Sequence, residues 1–499
     1  MLNNKESLSE KFIRKGFWLY AFSFIIGPLG YLIKMIISRD LSVEEVGMVY
    51  GVISFVTFLA MYNDLGCTES LQFFLPKLFV EKDYARAKYL LQFVFRLQIS
   101  TSFFIYFGVF FLAPWLAMHY FHADVISILR IAGFFFIGIN MMHIWTSLLI
   151  AIQDTKLSKG AEFARILGTA IGVSILFFSD HGSTEHYMIA WVIGLFIGIL
   201  FSSFVTWKKY YVPYLLHVKL KKDSTLIRSF MKYSLATLLA GNISATLSQI
   251  DMQLIIYLLG TEQAGYYSTY LSVIGIPFML LLPIVSFLFP VISELFGRGN
   301  HEKIDFLTRE FWGYFSIIGI WTSFFLFQYS HEITTLFFGD KFSASGDILK
   351  FSAPFLLFNI LGQIAFQVLA GTGEIKKRTH ILVITLFINI ILNLLFINLF
   401  GAKGSALAVG ISWIPLFYLS QKACGIRYEF MKKWDFWKNM IFGTITYFAL
   451  HLGIERFSDN LPNYLSISIA LITYLCIFLM VNKRIIQKGF KMIRNVYIS

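Results

Sequence analysis

Catalytic signatures are what this chain lacks. It contains no GxxxxGK phosphate loop, no HExxH zinc helix and no GxSxG nucleophile elbow. His119 and His122 lie three residues apart, but no third metal ligand accompanies them. Cysteine is scarce: Cys67, Cys424 and Cys476 stand far apart, with no CxxC spacing, which argues against a disulfide framework or a zinc site. Charge is scarce too. Only 14% of the 499 residues are charged, where a soluble domain carries about 25%. Long polar stretches are also missing: the largest outer loop expected lies near 330–349, so no soluble domain fits between the apolar runs.

Apolar residues fill the space instead, at 57% hydrophobic and 18% aromatic. Such a chain cannot cover itself with polar surface in water and is expected to be solvated by lipid. A membrane-spanning helix needs about 20 mostly apolar residues. Fourteen segments qualify, near 17–38, 46–65, 88–113, 125–150, 162–179, 187–206, 230–258, 265–291, 310–329, 350–371, 380–400, 404–421, 439–455 and 463–481. The fold class expected is all-α and polytopic. The first apolar run follows a polar, basic stretch and carries no small-residue cleavage site, so it reads as a retained membrane helix and not a signal peptide.

The net charge of +13 raises the question of nucleic acid. Its distribution answers otherwise. With the N-terminus inside, the cytoplasmic segments hold 34 of the 42 Lys and Arg, including Lys208, Lys209, Lys219, Lys221 and Lys222, and Lys376, Lys377 and Arg378. The outer face holds five: Arg39, Lys341, Lys350, Lys403 and Arg456. One missed or extra helix would reverse every later loop and erase this asymmetry. The positive-inside rule therefore predicts fourteen spans in the cytoplasmic membrane with both termini cytoplasmic. Membrane lipid headgroups, not nucleic acid, are the expected partners of these cations.

The chain repeats itself. LSVEEVG at 41–47 and LGTEQAG at 259–265 share Leu, Glu and Gly at matching positions, each in a corner after a long apolar run. LIAIQDTK, ending at Lys156, matches LAGTGEIK, ending at Lys376. Phe74-Leu75-Pro76 matches Leu288-Phe289-Pro290 more weakly. Three pairs in order, at nearly constant offset, indicate duplication. Six helices separate the copies, so two parallel-repeat lobes are expected, related by an axis along the membrane normal. The boundaries expected are 1–206 for the first lobe, 207–229 for a basic linker, 230–421 for the second lobe, and 422–499 for an extra helix pair and basic tail.

Three stretches carry a family resemblance: IISRDLSVEEVGMVYGVISF with NDLG at 63–66; QIDMQLIIYLLGTEQAGYYSTYLSVIGIP running on to LFPVISEL at 288–295; and LAGTGEIKKRTHILVITLFINIILNLLFINLFGAKGSALA at 369–408. Over nearly its whole length the chain resembles the Wzx-type polysaccharide flippases of the multidrug/oligosaccharidyl-lipid/polysaccharide exporter superfamily. The resemblance implies flipping of a lipid-diphosphate-linked oligosaccharide to the outer leaflet for surface polysaccharide, lipopolysaccharide or capsule assembly. It implies an ion gradient as the drive, proton or sodium. The partners are then the glycolipid, the coupling ion, a polysaccharide polymerase and other assembly proteins. No cofactor, metal or catalytic residue is implied. The alternatives are an ion-coupled multidrug efflux transporter and a membrane glycan polymerase or glycosyltransferase; the short outer loops count against the latter.

Charges inside spans are costly and mark function or pairing. Lys34, Arg96 and Arg130 are the candidate cavity cations for a diphosphate, with snorkelling the competing role for Lys34 and Arg130. Asp251 lies two turns inside the seventh span, where a short carboxylate cannot snorkel; it is the candidate ion-coupling or gate residue, with Lys34 as its partner. Asn242, Ser244, Gln249 and Gln253 make that helix polar, as interhelical hydrogen bonding would require.

Overall fold

The computed structural model describes residues 8–455 and 463–498; Arg456 lies outside them. The described chain is almost wholly helical, with no strand among the described residues. Nineteen α-helices follow in order: α1 Leu8–Asp40, α2 Val43–Asn63, α3 Cys67–Val80, α4 Tyr84–Leu116, α5 Ile126–Ala132, α6 Phe134–Ala151, α7 Thr155–Phe178, α8 Thr184–Thr206, α9 Ser224–Leu259, α10 Thr261–Ser286, α11 Leu288–Gly297, α12 His301–Gln328, α13 Ser330–Phe338, α14 Ser343–Ser352, α15 Leu356–Gly371, α16 Ile375–Phe400, α17 Ala402–Cys424, α18 Trp434–Glu455 and α19 Asn463–Ile498.

Every one of the fourteen expected segments is helical. Among the described residues, eleven helices are long and apolar enough to cross a membrane, so the chain is a multi-pass membrane protein. The remaining three expected spans fall on α1, α9 and α18. Some runs are broken where the backbone chemistry demands it. The 125–150 run divides at Gly133 into α5 and α6. The 265–291 run divides at Phe287, between Pro283 and Pro290, each of which removes a backbone donor. The 350–371 run turns through a short 3-10 segment at Pro354. Between apolar runs, short polar side chains start the helices. Asp83, Asp154, Ser183, Asp223 and Asn300 each accept a first-turn amide.

Packing divides the chain into two compact units, residues 1–265 and 266–499. In the first, α7 lies between α1 and α8, while α6 packs on α3, α4 and α8. Its interior includes Leu71, Leu75, Leu90, Val94, Leu148 and Phe230. In the second, α17 packs on α15 and α16, and α12 on α15 and α18. Trp312 is fully buried there and donates its indole N–H to the Leu361 carbonyl at 3.0 Å. A polar knot joins α12, α18 and α19: Trp321 Nε1 donates to Asn439 Oδ1 at 2.6 Å, and Asn439 and Asn482 exchange side-chain bonds at 3.0 and 2.7 Å. The seventh expected span, α9, belongs to the first unit by packing, although the repeat counts it as the opening helix of the second half.

Candidate functional site

The repeated corners meet. Ser42 caps α2 through a capping box, accepting from the Glu45 amide at 3.3 Å while Glu45 Oε2 accepts from the Ser42 amide at 2.8 Å. This brings Gly47 onto the start of α10. A Cβ placed on Gly47 would lie 1.7 Å from the Thr261 carbonyl oxygen, and one on Gly265 would lie 2.1 Å from the Val43 carbonyl oxygen. Val43 and Gly47 correspond to Thr261 and Gly265 in the repeat. Each glycine thus receives the carbonyl four residues before the other one, as a local two-fold relation requires. The two glycines are conserved between the copies because backbone touches backbone there, and no side chain fits.

Beside this contact, α9 runs along α2 through a polar seam. Ser54 Oγ donates to Gln249 Oε1 at 2.7 Å and accepts from Gln253 Nε2 at 2.8 Å. Tyr120 Oη donates to Gln253 Oε1 at 2.8 Å. Further along, Tyr62 Oη and Thr246 Oγ1 share a bond at 2.7 Å, and Asn242 Nδ2 donates to the Met61 carbonyl at 3.0 Å. At the far end Gly66 takes a left-handed conformation, φ +70°, and Ser234 Oγ donates to the neighbouring Leu65 carbonyl at 2.6 Å. The polarity of the seventh expected span is largely this seam.

The candidate charges sit on four helices. Lys34, on α1, is 9% exposed, with its ammonium 4.2 Å from the centre of the Tyr50 ring. Asp251, on α9, is 7% exposed. Arg130, on α5, lays its guanidinium 4.6 Å from the Phe110 ring, and its Nε is buried. Arg96 is exposed on α4 and has no ion-pair partner among the described residues.

Sequence reasoning missed a second polar cluster in the first unit. Asn63 of α2, Gln98 and Ser102 of α4 and Asn140 of α6 are each buried to within 2% exposure. His143 follows Asn140 by three residues on α6, and Arg165 lies inside α7. The signal was present as isolated amides in apolar runs, in MYNDLG, RLQIS and GINMMH. Outside the helices, Asp154 gathers the Lys209 ammonium and the Tyr210 hydroxyl, both at 2.7 Å. Burial opposes its charge, but these partners outweigh it and hold the carboxyl below the usual range.

The all-helical polytopic bundle has the fold of solved membrane transporters. It matches the inward closed conformation of the lipid II flippase MurJ with a TM-score of 0.74 at 17% identity, covering 94% of this chain and 99% of that one. It matches an inward-facing multidrug resistance MATE family transporter with a TM-score of 0.66 at 12% identity, covering 81% and 98%. The chain belongs to the polysaccharide biosynthesis protein family, whose model matches residues 36–347. It is similar to the uncharacterized membrane protein MJ1068 of Methanocaldococcus jannaschii, at 25% identity over 86% of this chain and 87% of that one. It is also similar to the probable low-salt glycan biosynthesis flippase Agl15 of Haloferax volcanii, at 23% identity over 38% and 40%.

Proposed function

We propose that this protein is a non-enzymatic, alternating-access flippase that carries a lipid-diphosphate-linked oligosaccharide across the cytoplasmic membrane for surface polysaccharide assembly. The structural observation that carries the mechanism is the reciprocal fit of Gly47 against Thr261 and Gly265 against Val43. A contact in which backbone carbonyls seat on two glycines, with only the Val43 side chain beside Gly265, has little side-chain interlocking to undo, and can part and re-form as a unit. The family and the flippases it resembles support the cargo. A diphosphate calls for Lys and Arg, and Lys34, Arg96 and Arg130 are the cations proposed to meet it. In this reading the chain crosses the membrane fourteen times with both termini cytoplasmic, and the repeated halves divide at the basic stretch 207–229. Lys34 and Asp251, both buried on the corner side of their helices, form the gate that an ion gradient opens. A polysaccharide polymerase would act on the delivered glycan.

The test is made in cells. Loss of the protein should abolish the surface polysaccharide and trap full-length lipid-linked oligosaccharide on the cytoplasmic leaflet. Complementation with Arg96→Ala should restore membrane abundance but not full export. Trapped chains lacking terminal sugars would indicate a glycosyltransferase instead, and normal polysaccharide with increased sensitivity to cationic drugs would indicate efflux.

A further inference from the structure

At one end of the second unit, α12, the chain between α17 and α18, and α19 enclose a cleft of about 160 Å³. Charged and aromatic side chains line it: Arg309, Glu310 and Tyr314 of α12, Tyr428 and Lys433 of the connecting chain, and Asp435 at the start of α18. Tyr428 is its fixed floor. That residue is 4% exposed, its carbonyl accepts from Gln421 Nε2 at 2.6 Å, and its hydroxyl lies so close to α12 that a Cβ on Gly313 would stand 3.2 Å from it. Charges of both signs converge on this floor. The Lys433 ammonium lies 4.5 Å from the centre of the Tyr428 ring, and the carboxylates of Glu310 and Asp435 are both in electrostatic range of its hydroxyl.

The cations keep donors to spare. Among the described residues Arg309 bonds through Nε alone, to Asp305 at 2.9 Å, which leaves its terminal amino groups for a guest. Lys433 has no ion-pair partner among the described residues. Asp435 meets Lys438 at 3.3 Å through one oxygen, and Glu310 lies against the Tyr314 hydroxyl. With Asp305 and Lys438 counted beside the lining charges, three cations face three carboxylates. The rim is basic: Arg427 and Lys432 share Glu429, and Lys483 and Arg484 adjoin the cleft on α19. Balanced but separated charges suit a zwitterion, whereas a bare anion or a bare cation would satisfy one half and oppose the other.

The cleft lies at headgroup level. Trp434 and Trp437 are exposed where α18 begins, as in an interfacial aromatic belt. Ile441, Ile445, Phe448 and Leu452 then continue one exposed apolar stripe along α18, the kind of face that acyl chains cover. We propose that this cleft holds the headgroup of a bilayer phospholipid bearing a primary ammonium, phosphatidylethanolamine. Arg309 and Lys433 take its phosphate, and Glu310 and Asp435 take its ammonium. Phosphatidylcholine lacks the N–H donors for those carboxylates, and phosphatidylglycerol lacks the cation. The two carboxylates also oppose a diphosphate, which sets this cleft apart from the cargo site. The bound lipid ties α18 and α19 to α12, and its site does not depend on the transport reading.

The experiment is native mass spectrometry of the purified, delipidated full-length chain, titrated in detergent with phosphatidylethanolamine, phosphatidylcholine and phosphatidylglycerol of identical acyl chains. One saturable phosphatidylethanolamine is expected, bound more tightly than either of the others. Lys433→Ala should weaken it about tenfold, the loss of one charge-assisted hydrogen bond. Lys432→Ala, whose charge Glu429 already engages, should leave the affinity unchanged. Glu310→Gln should erase the preference over phosphatidylcholine. Equal or tighter binding of either other lipid to the wild type overturns the proposal. So does unchanged affinity in Lys433→Ala, or an equal loss in Lys432→Ala, the result that general attraction of headgroups to a basic surface would give. Displacement of the bound lipid by excess inorganic phosphate, or by a lipid-diphosphate-linked oligosaccharide, would give the cleft to a free anion or to the cargo and overturn it as well.

Discussion

At the scale of single residues, the two corner glycines decide the most. A methyl group on Gly47 would overlap a backbone oxygen, which cannot swing aside as a side chain can. Overpacking of this kind costs about 1–3 kcal/mol, and separating the corners relieves it. Gly47→Ala and Gly265→Ala should therefore each bias the protein towards the state in which the corners are apart. Disulfide cross-linking between cysteines placed at Glu44 and Glu262 would fall in both variants; unchanged cross-linking would mean that the corners accommodate the methyl group. The repeat made these glycines legible in the sequence, since both stand at the same place in matching heptamers. Asn63, Gln98 and Asn140 were not legible as a group, because their meeting depends on how α2, α4 and α6 cross. Asp154 makes a pH-dependent contribution. Its carboxyl is held below the usual range, so the stability it confers is complete above the unfolded value near 4 and is lost as pH falls through the lower folded value. Wild-type unfolding midpoints should drop more steeply than those of Asp154→Asn below about pH 4. Parallel curves would remove Asp154 from the acid response.

At the scale of elements, α9 is the helix whose polarity most needed explaining. Four of its side chains, Asn242, Thr246, Gln249 and Gln253, bond across to α2 or to Tyr120. Interhelical hydrogen bonds in membranes average about 0.6 kcal/mol. Gln253→Leu, however, removes the acceptor of the Tyr120 hydroxyl, leaving it only a 3.4 Å approach to the residue-253 carbonyl, while Ser54 keeps its bond to Gln249; it should cost about 1–3 kcal/mol, the penalty of an unpaired buried group. Thermal unfolding would show a loss for Gln253→Leu that Tyr120→Phe, which removes the hydroxyl left without its acceptor, largely reduces in the double variant; additive losses would contradict the seam. Existence and type of the long helices followed from apolar length alone, and all fourteen expected segments are helical. Their interruptions did not. Gly133, Phe287 and Pro354 break runs of unchanged hydropathy, so a pattern that records only apolarity passes over them. The short polar-faced helices α3 and α13 were likewise invisible to a search for twenty apolar residues.

At the scale of the whole molecule, the basic asymmetry predicts which loops face the cytoplasm. Thr261 is buried with its carbonyl against Gly47, so Glu262 and Asp180, both exposed, are better probes of the outer face, and Lys376 of the inner one. In a background without Cys67, Cys424 and Cys476, a membrane-impermeant thiol reagent applied to intact cells should label Glu262→Cys and Asp180→Cys but not Lys376→Cys. The opposite pattern would invert the topology.

The central claim is that lipid-diphosphate-linked oligosaccharide crosses the bilayer through this chain. It is tested most directly in proteoliposomes that contain only the purified protein and a glycan-labelled, lipid-diphosphate-linked oligosaccharide. A membrane-impermeant quencher of the label reports the outer leaflet. With the wild type, an imposed ion gradient should carry the signal well past the half quenched in protein-free vesicles, and Arg96→Ala should slow the approach severalfold. Quenching that stays at half under every gradient, while the same vesicles accumulate a cationic dye, would contradict the account.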